Sequence, residues 1–254
     1  MIDQLPLCSR SRYSLIMNCS ESSCHAGETL MLEQRAPRLS ACHRWLELDL
    51  CVPHWTQGWT LIGGGRRQAQ CVFWHQVGGA DLPLEVDAKH FFEARRRQRT
   101  ADTEGVGFLT GCSLAEFVER RRGSGTQWAR CVATIGLRNA VRIGDLPHTN
   151  AIRPGTINIL LQVSRPLSEC ASLEALSLVA EARTSAMLDG NVPSSVENTI
   201  ATGTGTDCIV VASPLPSDED AEIIYAGKHT EIGYLIGSCV YVAVSHGIRQ
   251  TKSS

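Results

Sequence analysis

The stretch from Leu173 to Leu188 limits what this 254-residue chain can fold into more than any other segment. At about 100° per residue, Leu173, Leu176, Ala180 and Met187 form one helical stripe, Glu174, Glu181 and Ser185 form a narrow polar one, and almost everything else is apolar. A helix of that kind has to be covered around most of its circumference. Arg183 falls between Val179 and Leu176 on the wheel, inside the apolar face. Two readings of it stay open: a paired or snorkelling side chain, or a buried cation that meets a substrate amide, carboxylate or phosphate. Glu181 lies about 160° away and cannot share that task from the same face.

The cover is visible in the rest of the sequence. Trp45 to Leu50 alternates as a half-buried strand does, and Gln70 to Val77, Cys131 to Gly136, Ile157 to Val163 and Cys208 to Ser213 are short apolar runs of strand length. Gly58 to Gly65 reads as strand ends joined by glycine turns, and Val106 to Thr110 as a short strand. Helices are expected over Val86 to Arg99, over Leu114 to Arg122 after a Ser113 cap, and from Glu231 to Gly247 after a Thr230 cap. The fold class is therefore α/β: a single domain with a mixed β-sheet covered by helices, whose strand order cannot be read from one chain. Residues 1–40 show no sustained period and are set apart as an extension, disordered or wrongly assigned as a start, ahead of a domain over 41–250. Gly233, Gly237, Val240 and Val244 give the last helix a small-residue face that suits a core or a second copy of the chain.

Charge and cysteine usage narrow the function. A formal net charge of −2 provides no global field for a polyanion, and the Arg95–Arg97 and Arg120–Arg122 clusters are interleaved with Glu93, Glu116 and Glu119, so both read as solvated helix faces and nucleic acid is not the expected partner. The eleven cysteines show no Cys-x-x-Cys spacing, and most lie in apolar runs, as free thiols do in a reducing cytoplasm. Neither a secretory leader nor a run of about 18 apolar residues is found, so no membrane span is expected. A cysteine-based metal or redox sensor rests on the cysteine count alone.

The segment richest in chemistry is Ala201-Thr202-Gly203-Thr204-Gly205-Thr206-Asp207, followed downstream by Gly227-Lys228-His229-Thr230-Glu231. A strand follows Asp207, so this is neither a Walker loop nor a Rossmann turn. It is either an ordinary turn with Asp207 capping amides, or a donor-rich loop with a carboxylate for acid–base work. Cys208 to Ser213 and Glu222 to Ala226 are expected to form a hairpin across the Pro214–Asp220 turn. That pairing would bring Asp207 and His229 together.

Several blocks in order carry a family resemblance: Gly136 to Asp145, Pro154 to Ile159, Glu181 to Ala186, Ala201 to Asp207 and Tyr225 to Gly237, with weaker echoes at Gly63–Gly65 and Val106–Thr110. Together they resemble the adenosylcobinamide amidohydrolase (CbiZ-type) family over about residues 44–248. The resemblance implies hydrolysis of the amide joining the aminopropanol arm of adenosylcobinamide to the corrin ring, giving adenosylcobyric acid for cobamide salvage. The corrinoid is then the substrate, and no cofactor is implied. The family often carries lysine where Arg183 stands and a Ser-Gly-rich approach where this chain has Val196-Glu197-Asn198-Thr199.

Amide hydrolysis needs an activated nucleophile, a home for the oxyanion and a proton for the departing amine. Asp207 and His229 are the candidates for water activation and amine protonation, with Thr206 as an alternative nucleophile. Gly205 and Thr206 are candidates for oxyanion contacts. Asn139 and Asn158 suit an amide-rich periphery because each offers both donor and acceptor. Asp145, Glu181, Arg183 and Thr204 complete the expected binding set, and no metal ligation is expected because His229 and Glu231 stand without a third ligand. The competing reading is a non-catalytic corrinoid- or tetrapyrrole-binding protein of the same fold.

Overall fold

The computed structural model describes residues 38–42, 44–78, 81–83, 85–99, 105–146, 155–218 and 220–253, with the backbone alone for 38–42 and 99. In chain order the elements are β1 (Arg38–Cys42), β2 (Trp45–Trp59), β3 (Gly65–Gln76), α1 (Ala88–Arg99), β4 (Gly105–Thr110), β5 (Val118–Ser124), β6 (Gln127–Ile135), β7 (Ala140–Val141), β8 (Ile157–Val163), α2 (Glu169–Asp189), β9 (Gly203–Thr204), β10 (Cys208–Pro214) and α3 (Glu231–Ser253). The extension set apart at 1–40 lies outside the described residues, apart from the three that open β1.

One mixed sheet runs β4-β3-β2-β10-β8-β6-β5, with β1 paired to the first half of β2. The β3–β4 and β8–β10 pairs are parallel and the others antiparallel. This sheet is not flat. Asn158 on β8 donates from Nδ2 to the Leu109 carbonyl on β4 at 2.7 Å, although strands four places apart in a flat sheet would be separated by roughly 19 Å. The fold-back is centred on β2, whose register with β3 shifts between Asp49 and His54 and whose Cys51 takes a positive φ of 69°. A bulge there sharpens the strand's bend. The β2–β3–β4 part consequently covers the second face of the β6–β8–β10 part, and Leu46, Leu48, Val72, Trp74 and Phe108 pack against Val132, Leu160 and Val210.

Helices close the two outer faces. On one side Ala175, Val179, Ala182 and Ala186 of α2 and Ile236, Val240 and Val244 of α3 pack on Cys131, Ile159, Leu161 and Val211. On the other, Phe92 of α1 packs with Trp45 and Phe73, at a spot where Gly107 leaves room for its ring. The strand runs at 157–163 and 208–214 are largely buried and mostly apolar because both faces are covered, with Asn158, Gln162 and Ser213 as their buried polar exceptions. Helix α2 is covered on one side and not around most of its circumference: eight of its 21 residues are buried, among them Ala171, Ala175, Leu178, Val179, Ala182, Ala186 and Met187, while Leu173 and Leu188 are exposed, because its apolar surface is wider than the face that meets α3 and the sheet. Helix α3 has the length and hydropathy of a membrane-crossing segment, and ten of its residues are buried in the core.

Two expectations are corrected. Leu114 to Arg122 is not a helix: a 3₁₀ turn at Leu114–Glu116 leads into β5. A two-residue turn with Gly125 at φ 59° pairs β5 with β6, so Arg120–Arg122 stand on an edge strand, where Arg121 lies over the Trp128 ring. Nor do Glu222 to Ala226 return along β10. Both edges of β10 are already occupied, by β2 and β8, so Ile223 bonds instead with Pro166 and Ser168 ahead of α2.

Two histidines link this core to pH. His54 is 3% exposed, with Nδ1 on the Val52 carbonyl and Nε2 toward Gln162, and burial lowers its pKa; burial likewise lowers that of His75. The unfolded chain takes up these protons near 6.5 and the folded chain only at lower pH. Between those values the unfolded state binds more protons, so stability is full above about 6.5 and is lost as pH falls toward the folded pKa values. The melting temperature should fall between pH 7.5 and 5.5, and His54→Gln should flatten that decline; an unchanged slope in the variant would show that His54 does not contribute to it.

Candidate active site

The loop before β10 is organised by Asp207. Its side chain is 6% exposed and paired with Arg183 of α2 (Nη1 to Oδ2, 2.5 Å). The Thr204 amide donates to Oδ2 at 2.9 Å, the Ile157 amide to Oδ1 at 3.1 Å, and the Thr204 hydroxyl also to Oδ1. A carboxylate has about four acceptor positions, so these donors fill it. Burial raises the carboxyl pKa above its ordinary value, while Arg183 and the Thr204 and Ile157 donors oppose the rise. Gly203 is required here, because a Cβ on it would lie 2.6 Å from Asp207 Oδ2 and 3.1 Å from the guanidinium carbon of Arg183.

The loop's outer edge carries polar groups open to solvent. Thr206 is exposed, and its Oγ1 lies 2.6 Å from Thr156 Oγ1, so the starts of the parallel strands β8 and β10 present a pair of hydroxyls. Asn139 stands beside them, with Nδ2 3.0 Å from where a Gly205 Cβ would be. The β7–β9 pair holds the 139–141 segment against this loop. From the end of β2 the Trp59 indole donates to the Asp207 carbonyl at 2.8 Å. Cys112 and Cys208 are nearby, but burial raises both thiol pKa values, Cys208 to about 11, which disfavours the thiolate form.

The structure sorts the candidate residues. Thr206 and Asn139 stand at the open edge. Gly205 is exposed too, but its N–H already donates to the Asn139 carbonyl at 3.1 Å and cannot serve an oxyanion. Thr204, Arg183 and Asp207 form the internal lock, which selects the paired reading of Arg183. Asn158 is fully buried, directly opposite Thr134 in the β6–β8 register; its Nδ2 ties β8 to β4, and its Oδ1 is buried without a partner among the described residues. Asp145 accepts from the Arg142 amide and the Ser194 hydroxyl, fixing a turn.

His229 does not join this group through a hairpin. Its neighbour Lys228 pairs with Glu181, and the Ala226 amide donates to Glu174 at 2.6 Å, so the 226–229 turn lies along the Glu174–Glu181 stripe of α2. Asp207 meets the Arg183 face, about 160° round the same helix. His229 is exposed ahead of α3, whose N-cap is Thr230, its Oγ1 accepting from the Gly233 amide at 3.0 Å. Thr156 and Trp59 escaped the sequence reading. Thr156 sat inside a family-like block, while Trp59 carried no signal, since only the β2–β10 pairing brings it to the loop.

Comparison with known proteins settles the lineage. The family model described as adenosylcobinamide amidohydrolase matches residues 33–254. The chain belongs to that family. It is 27% identical over 195 residues to the adenosylcobinamide amidohydrolase of Methanosarcina mazei, covering 74% of this chain and 88% of that one. The adenosylcobinamide amidohydrolase of Halobacterium salinarum is 31% identical over 128 residues, 46% of this chain and 50% of the relative. An uncharacterized protein of Methanocaldococcus jannaschii is 37% identical over 100 residues, 39% of this chain and 38% of the relative. Among solved structures, a Burkholderia β-aminopeptidase aligns with a TM-score of 0.40 at 10% identity, over 80% of this chain and 77% of that chain.

The lock predicts a stability effect. Arg183→Leu leaves a buried carboxylate without its cation and should cost about 3–5 kcal/mol at neutral pH. The loss should shrink in acid, where Asp207 can take up a proton. Denaturant unfolding of Arg183→Leu, Asp207→Leu and the double variant should show strong non-additivity; simple additivity would mean that the two side chains act independently.

Proposed function

We propose that this protein hydrolyses the amide joining the aminopropanol arm of adenosylcobinamide to its corrin ring, with adenosylcobyric acid and the free amine as products, in corrinoid salvage. The supporting observation is the family match over residues 33–254, which spans every element that builds the Thr206 edge. Water adds to the amide carbonyl, the C–N bond breaks, and the amine leaves with a proton. The Thr206 and Thr156 hydroxyls are the donors placed to stabilise the developing oxyanion, and Asn139 the group placed to read an amide on the substrate's periphery. Asp207, its acceptor positions filled, acts by holding Thr204 and the loop in place. In this reading it is a positioning residue. His229, exposed ahead of α3, lies along the other stripe of α2 and is not brought beside the hydroxyl pair, so its expected part in proton transfer to the leaving amine rests on the His229→Ala variant and not on this geometry. Thr206 is ranked below water as the nucleophile, since its partner among the described residues is another hydroxyl and not a base.

Incubating the protein with adenosylcobinamide and separating the corrinoids by chromatography tests the activity directly: adenosylcobyric acid should accumulate with time and protein. Binding without turnover would instead establish a corrinoid-binding protein. Thr206→Val and Thr156→Val should each lower kcat by about 10²–10³-fold, the scale for losing an oxyanion donor, with less change in KM. His229→Ala should lower kcat by about 10²–10⁴-fold if it carries the proton. Wild-type turnover in His229→Ala would remove it from the mechanism, and an intact Thr206→Val would do the same for the hydroxyl pair.

A further inference from the structure

Trp59 is a large exposed aromatic bonded to the residue that follows Thr206, and the proposed chemistry leaves it without a task. It ends β2 with 47% of its surface exposed. Its orientation is fixed. The indole N–H donates to the Asp207 carbonyl at 2.8 Å, and its backbone pairs with Ile209 in the β2–β10 ladder. Gly58 lets the chain come this close: its φ is 154°, and a Cβ there would run into the Ile209 carbonyl. Gly64 closes the following turn, where a Cβ would be 3.1 Å from the Thr60 carbonyl oxygen. The Thr60 hydroxyl is in turn bonded to the Gly107 carbonyl at 2.5 Å.

The ring is thus held at its edge while much of its surface stays open, and its anchor is the residue next to Thr206. An indole fixed before the ligand arrives loses little side-chain entropy on binding, and a flat conjugated partner gains dispersion and quadrupole contact over its whole face. We propose that Trp59 is a stacking platform for a flat conjugated ring of the substrate, beside the hydroxyl pair that handles the amide. The inference rests on the reading of the Thr206 edge as the substrate site. On an adenosylated corrinoid, the shared chemistry, a planar conjugated face, is available from the adenine base and from the corrin ring.

The test is equilibrium dialysis of adenosylcobinamide, and of cobinamide lacking the adenosyl group, against wild type, Trp59→Phe and Trp59→Leu, with melting temperatures for all three. Loss of a stacking contact should weaken binding by roughly tenfold or more in Trp59→Leu, and Trp59→Phe, which keeps a flat face but not the N–H, should restore most of it. KM should rise in parallel with little change in kcat. A loss confined to the adenosylated compound assigns the ring to adenine, and a loss with both assigns it to the corrin. Unchanged binding in Trp59→Leu overturns the platform while leaving the amidohydrolase reading intact. Equal losses in Trp59→Phe and Trp59→Leu also overturn it, since the indole hydrogen bond would then be what matters. Failure of the wild type to bind either corrinoid overturns the functional reading, and the platform with it.

Discussion

The ion pair between Arg183 and Asp207 is the interaction on which the candidate site depends. A carboxylate at 6% exposure is tolerated only if its charge is balanced and its oxygens are bonded, and here one guanidinium, two backbone amides and a hydroxyl meet that requirement together. These donors come from three different parts of the fold. Arg183 belongs to α2, Thr204 to β9 and Ile157 to the start of β8. Satisfying one acid therefore fixes a helix, a strand pair and two strand starts relative to one another, and the Thr156–Thr206 hydroxyl pair follows from that arrangement.

The same economy explains why a residue rich in chemistry need not be a reactive one. Asp207 has the composition of a general base and the surroundings of a keystone: burial pushes its pKa up, its donors pull the other way, and no acceptor position is left for water. Asn139 and Asn158 make the same point as a pair. Both carry a carboxamide, yet Asn139 lies at the loop edge while Asn158 is sealed between two sheet layers and holds them together.

What the sequence reveals follows from the range of each interaction. Ile157 to Val163 is legible as a strand because cover on both faces leaves Asn158 and Gln162 as its only polar residues, and α2 as a helix because its polar stripe is so narrow. Leu114 to Arg122 reads as helix because a short apolar run follows the Ser113 cap, and only pairing with β6 makes Val118–Ser124 a strand. The expected hairpin after β10 fails for a related reason. Local turn chemistry says that the chain reverses, but not that the strand's two edges are already taken by partners from far earlier in the chain. At the site, residue types are legible and exposure is not: Thr206 and Asn139 could be named from sequence, whereas the roles of Thr204, Asn158 and Trp59 are set by what folds over or beside them.

The position of β10 has a consequence for how the protein comes to exist. It lies between β2 and β8, and its register with β2 joins Ile209 to Trp59 across most of the chain. Contacts of such long sequence separation form slowly, because a large loop has to close before the pairing returns any stability. Until residues 208–214 have been synthesised and inserted, β2 and β8 each present an unpaired edge, the kind of surface on which partly made chains associate. The strand that carries Asp207 into the site is thus also the one that closes the sheet. In this chain, competence for chemistry and protection from aggregation arrive in the same folding step.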